Sequence, residues 1–98
     1  MKIKIYSVHD NQANAFLNPF FMNSDAEARR AIVDLTRDAD HLFGRHPADY
    51  ALYCHGELDN VAGTFDTFEN PKKIISCLEI VAAEKDLESE VEKFKVGA

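Results

Sequence analysis

Four histidines, two cysteines and a run of carboxylates are the residues of this chain whose types suit chemistry. His41 and His46 lie five apart, off a common helical face, and Cys54 and His55 are adjacent in an alternating segment, so they point to opposite sides. A zinc site needs about four converging ligands, and no spacing that includes His9, His41, His46 or His55 delivers them. A nucleophilic cysteine needs a histidine base and a positive surrounding. Cys54 instead falls in residues 50–69, which hold Glu57, Asp59, Asp66 and Glu69 and no Lys or Arg. Cys54 and Cys77 therefore read as small core residues. The four carboxylates could form an acid/base pair or a cation loop, but they lack the spacing of an EF-hand. A charged hairpin that protects a sheet edge is the simpler reading. GxGxxG, P-loop and HExxH patterns do not occur. The expectation is no catalytic residue, no metal and no cofactor.

Two sets of residues suit binding instead. Lys2, Lys4 and Tyr6 alternate along the first strand, and Tyr53 and His55 fall on an uncovered sheet face. Cations beside aromatic rings are what single-stranded nucleic acid requires, through backbone neutralisation and stacking that tolerates any base. A solvated face, or one covered by a second copy, would carry the same residues. The second set is helical: Ile80, Leu87 and Phe94 are seven apart, with Val91 beside them. That seam suits self-association, although Glu84 interrupts it and it is too short for a coiled coil.

These residues depend on the elements that position them. Residues 2–9 alternate as a half-buried strand, with Ile3 and Ile5 on one face and Lys2, Lys4, Tyr6 and Val8 on the other. Phe16 to Met22 suits a second strand, at an edge or bulge because Pro19 cannot donate to a ladder. Ser24-Asp25-Ala26-Glu27 is a capping box. It opens a helix in which Ala28, Ala31, Ile32 and Leu35 recur at helical spacing and should bury against Ile3, Ile5 and Leu52. That helix should end before Asp40. His41 to Asp49 reads as a loop pinned by Leu42 and Phe43. Tyr50 to Leu58 and Thr64 to Glu69 read as a hairpin around Asp59–Gly63; Phe65 and Phe68, three apart, break the alternation, for which a bulge is one remedy. After Pro71, residues 72–96 read as helix; Ile74, Leu78 and Val81 would form the stripe that faces the domain's own core. The order is ββαββα: an α+β domain with a four-stranded antiparallel sheet, one face covered by helix, and a C-terminal amphipathic helix.

Bulk properties fit this outline. The 98 residues are one domain's length, read as a single domain 1–98 with a core over about 1–82 and a helical extension over about 83–98. Apolar runs fall far short of a membrane span, the N-terminus lacks a signal-peptide core, and cytoplasmic thiols are expected. Net charge is −6, which disfavours tight nonspecific duplex binding.

Several phrases together resemble the small nonstructural protein of gokushoviruses, Microviridae phages with small single-stranded DNA genomes. They are Lys2 to Asp10, the Asn18-Pro19-Phe20-Phe21-Met22 segment, Ala28 to Leu35, His46 to Tyr50, and the hairpin from Gly56 to Phe65. The resemblance covers roughly residues 1–80. It implies a nonstructural accessory role in genome replication or packaging in the bacterial host cytoplasm, and it attaches no catalytic motif. The expected partners are a second copy of the chain as a homodimer or higher oligomer, and single-stranded DNA contacted weakly. The alternative is a module that recruits a phage or host protein without touching nucleic acid.

Overall fold

A computed structural model of the chain describes residues 1–85. Strand β1 (Lys2–Asp10) is central. On one edge it pairs antiparallel with two short strands, β2 (Ala15–Phe16) and β3 (Phe20–Met22), and on the other with β4 (Tyr50–Asp59). β4 pairs with the outer strand β5 (Thr64–Ser76), again antiparallel. The helices are α1 (Asp25–Arg37), α2 (Leu42–Arg45) and α3 over residues 77–85, with a 3-10 turn at Pro47–Asp49. The fold is α+β with an antiparallel sheet, as expected.

The second expected strand is split in two. Pro19 carries no N–H, so the chain leaves β1 between Phe16 and Phe20 and returns with Tyr6 opposite Phe20 and Lys4 opposite Met22. Before β2, the Asp10 carboxylate accepts from the amides of Gln12 and Ala13 and closes the turn.

In α1 the Ser24 hydroxyl accepts from the Glu27 amide at 3.2 Å, and Glu27 reaches back to the Asn23 amide. The buried line is Ala28, Ile32 and Thr36, four apart along the helix. Leu35 is 37% exposed, which corrects the expectation that it packs on the sheet. The Ala28–Ile32–Thr36 row occupies the contact and leaves Ala31 and Leu35 on its flank. There they line an apolar hollow with Leu17, Phe20, Met22 and Phe43. The loop expected over residues 41–49 contains α2, capped by His41 Nδ1 accepting from the Phe43 amide at 3.1 Å. Phe43 is buried, whereas Leu42 stands in solvent.

The largest departure concerns residues 72–76, which belong to β5 rather than to a helix. Cys54 pairs with Lys72 and Gly56 with Thr67, so four residues, 68–71, bulge out opposite the single residue His55. Pro71 sits in that bulge, where no ladder N–H is required. Ile74 and Ile75 then resume as strand. The Ser76 hydroxyl accepts from the Glu79 amide at 3.1 Å and starts α3, a second Ser-x-x-Glu box five residues after the expected start.

Helix covers one sheet face. The core there gathers Tyr6, Val8, Leu52, Cys54 and Ile75 from the sheet with Ala28, Ile32, Phe43, Cys77 and Ile80. Tyr6 and Val8, not Ile3 and Ile5, therefore face α1. The alternation was legible but its polarity inverts, since Tyr6 and Val8 enter the helix-side core. Lys2 and Lys4 share the face of Tyr6, where Lys2 meets Glu57 and Lys4 meets Asp25 at the start of α1.

A candidate ring-lined sheet face

The face that no described helix covers carries Ile3, Ile5, Ser7 and His9 from β1, with Phe16 opposite His9 and Phe21 opposite Ile5. β4 adds Tyr53, opposite Ser7, and Leu58, opposite Ile3, and β5 adds Phe65, opposite Leu58. His55 is the bulged residue between Gly56, which pairs with Ile5, and Cys54, which pairs with Tyr6. The bulge turns its ring to this face, where Nε2 lies 2.5 Å from the buried Ser7 hydroxyl. That bond holds the imidazole in place.

Four rings meet here edge to face. Phe16 lies 4.8 Å from His9, 5.4 Å from Tyr53 and 5.1 Å from His55 between ring centroids, and His9 lies 6.2 Å from Tyr53. Phe16 remains 42% exposed. Such a patch offers π-faces and edges to a planar ligand.

Of the five residues expected at a nucleic-acid contact, Tyr53 and His55 are on this face and three are not. Lys2 and Lys4 point to the opposite face, where Lys2 lies 3.8 Å from Glu57 and Lys4 lies 3.5 Å from Asp25. Tyr6 has no exposed surface. Its hydroxyl donates to Asp25 Oδ1 at 2.5 Å, which ties the first turn of α1 to the sheet. Burial, and then the Asp25 carboxylate, push the Tyr6 hydroxyl far above the usual phenol range, so it stays a donor. Reciprocally, that hydrogen bond and the nearby Lys4 lower the Asp25 carboxyl. Tyr6 is a core residue and an anchor, closed to a stacking base. Lys73 pairs opposite Tyr53, and its ammonium is held 2.6 Å from Glu79.

His9 and Phe16 were missing from the expected site. The signal was present: His9 is two residues past Ser7 on the alternating strand, and Phe16 follows the Asp10–Asn14 turn at a distance that returns it to His9.

The expected association seam fares differently. Ile80 is 4% exposed and belongs to this chain's own core, because α3 turns the Cys77/Ile80 stripe inward and leaves Leu78 outside. Leu87, Val91 and Phe94 lie outside the described residues. Among the described residues, no cluster of three or more His, Cys, Asp or Glu is arranged to hold a metal, and no helix is long and apolar enough to cross a membrane.

Sheet and helices together define a small α+β domain, one sheet face of which is lined by the rings of His9, Phe16, Tyr53 and His55. The chain belongs to the phage ORF5 protein family, whose pattern it matches over residues 3–80. It is thus a phage accessory protein. No curated protein and no solved structure matches it.

Proposed function

We propose that this protein serves, without catalysis, as an accessory in the replication or packaging of a single-stranded DNA phage genome, meeting exposed bases on its ring-lined face. The observation that carries this reading is the contact cluster of Phe16 with His9, Tyr53 and His55 on a sheet face that no described helix covers. Stacking is sequence-tolerant, because every base has a π-face. Membership in a phage family and the resemblance to gokushovirus proteins supply the context.

The electrostatics set the expected strength. Lys2, Lys4 and Lys73 are each engaged by a carboxylate, and the chain carries −6 overall. Few phosphates can be neutralised, so binding should be weak and its salt dependence shallow. Fluorescence anisotropy against a single-stranded oligonucleotide should give a slope of about −0.7 log units per log unit of salt, one phosphate's worth. Tyr53→Ala should weaken binding by about 1–3 kcal/mol. The pair Lys2→Glu and Lys4→Glu should change it little, since both lysines lie on the other face. Absence of binding at low salt, or a Tyr53→Ala variant that binds like wild type, would end this reading.

The same ion pairing favours a second reading, in which the face recruits a phage or host protein and no nucleic acid. The titration separates the two.

A further inference from the structure

The half of the helix-free face away from the rings has a different character. Ile3, Leu58 and Phe65 stand side by side across β1, β4 and β5, with Phe21 adjacent to the buried Ile5. Phe65 is 63% exposed and Phe21 45%. With aromatic side chains of roughly 150–250 Å² each, these two alone present on the order of 200 Å² of ring surface. Met1, two residues before Ile3 and 73% exposed, extends the patch. Every charged side chain of this segment lies on the opposite face: Lys2 opposite Asp59, and Lys4 opposite Glu57, which in turn pairs with Asp66. A solvated antiparallel face would show the reverse alternation, polar outward. Here, among the described residues, the outward side chains without helix cover are the apolar ones.

We infer that this patch is the contact between two copies of the chain, packed face to face as two sheets. The charge distribution selects the occupant. At −6 per chain, two copies repel wherever charged surfaces meet, and this patch is where they can approach without opposing like charges. A charged protein partner would find no charged side chain there to pair with, and a phosphate backbone would find no Lys or Arg. A second identical apolar patch satisfies both constraints, and a two-fold axis through it makes the contact self-complementary. Sheets pack this way about 10 Å apart. The area is modest beside the roughly 800 Å² per partner of a standard interface, so the dimer should form in a concentration-dependent way. Antiparallel apposition of the two patches leaves a ring cluster open at each end. The inference stands whether or not those rings meet nucleic acid.

Sedimentation equilibrium of the full chain over a wide concentration range tests this. The mass should rise from the 11.0 kDa monomer toward twice that value at high micromolar concentration. Phe65→Lys would place two like charges across the axis, and should raise the dissociation constant by on the order of a hundredfold. Should that variant lack the native far-UV circular dichroism, Phe65→Thr keeps strand propensity and should weaken the dimer by about tenfold. Leu42→Lys, at an exposed apolar position on the helix side, should leave association unchanged. A monomer mass at every concentration, or a dimer indifferent to both Phe65 variants, would overturn the inference. So would a dimer broken by Leu42→Lys.

Discussion

Gly56→Ala is expected to destabilise the protein by about 2–6 kcal/mol, seen as a lower midpoint in urea unfolding. Gly56 adopts φ +141°, a region closed to residues with a side chain, and forcing one there costs about 1–3 kcal/mol. A methyl group would also lie 2.2 Å from the carbonyl oxygen of Asp66 and 2.7 Å from the Thr67 Cα. Both obstacles are backbone of the paired strand, so relief requires β5 to move, a further cost of about 1–3 kcal/mol. The effect reaches the ring face, because the Gly56 conformation creates the bulge that presents His55 to Ser7. A variant within about 1 kcal/mol of wild type would show that the bulge does not depend on glycine.

Tyr6→Ala should cost about 3–5 kcal/mol, the range for removing a buried aromatic side chain. The ring is fully buried between Phe20 and the helix-side core, with its centroid 5.8 Å from that of Phe20. Tyr6→Phe isolates the hydroxyl. It should cost about 1.5–3 kcal/mol, as expected for a hydrogen bond to a charged group, with the lower end favoured because the Asp25 side chain is 47% exposed and water can replace the donor. Thermal or urea unfolding of the pair gives both values. If Tyr6→Phe folds normally, its affinity for single-stranded DNA should equal that of wild type. A selective loss of DNA affinity with unchanged stability would instead return Tyr6 to the binding surface.

Local patterns in the sequence carried most of the fold. The Ser24 box, the extent of α1, the alternation of β1 and the Asp59–Gly63 turn are all short-range signals, and each lies where it was expected. What failed was long-range. Alternation separates the two faces of β1 but does not say which one the helix covers, and the lysines at its start made the Tyr6 face look like the wet one. The decision rests on where the first turn of α1 lands, and Tyr6 and Asp25 fix that across nineteen residues of sequence. Pro71 misled because proline suits both a helix start and a strand bulge, whereas Ser76-Cys77-Leu78-Glu79 was the better helix signal. The split of the site follows from the same inversion. Tyr53 and His55 share a face as half-buried neighbours, and the lysines assigned to them turn to the other side.

The most direct measurement is an amide NMR titration of isotopically labelled protein with a single-stranded oligonucleotide at low salt. The largest shift changes should fall at His9, Phe16, Tyr53 and His55, with Lys2, Lys4 and the first turn of α1 nearly unmoved. Changes concentrated at Lys2, Lys4 and Asp25, or no change at any amide, would contradict the assignment of the ring-lined face as the surface that meets the genome.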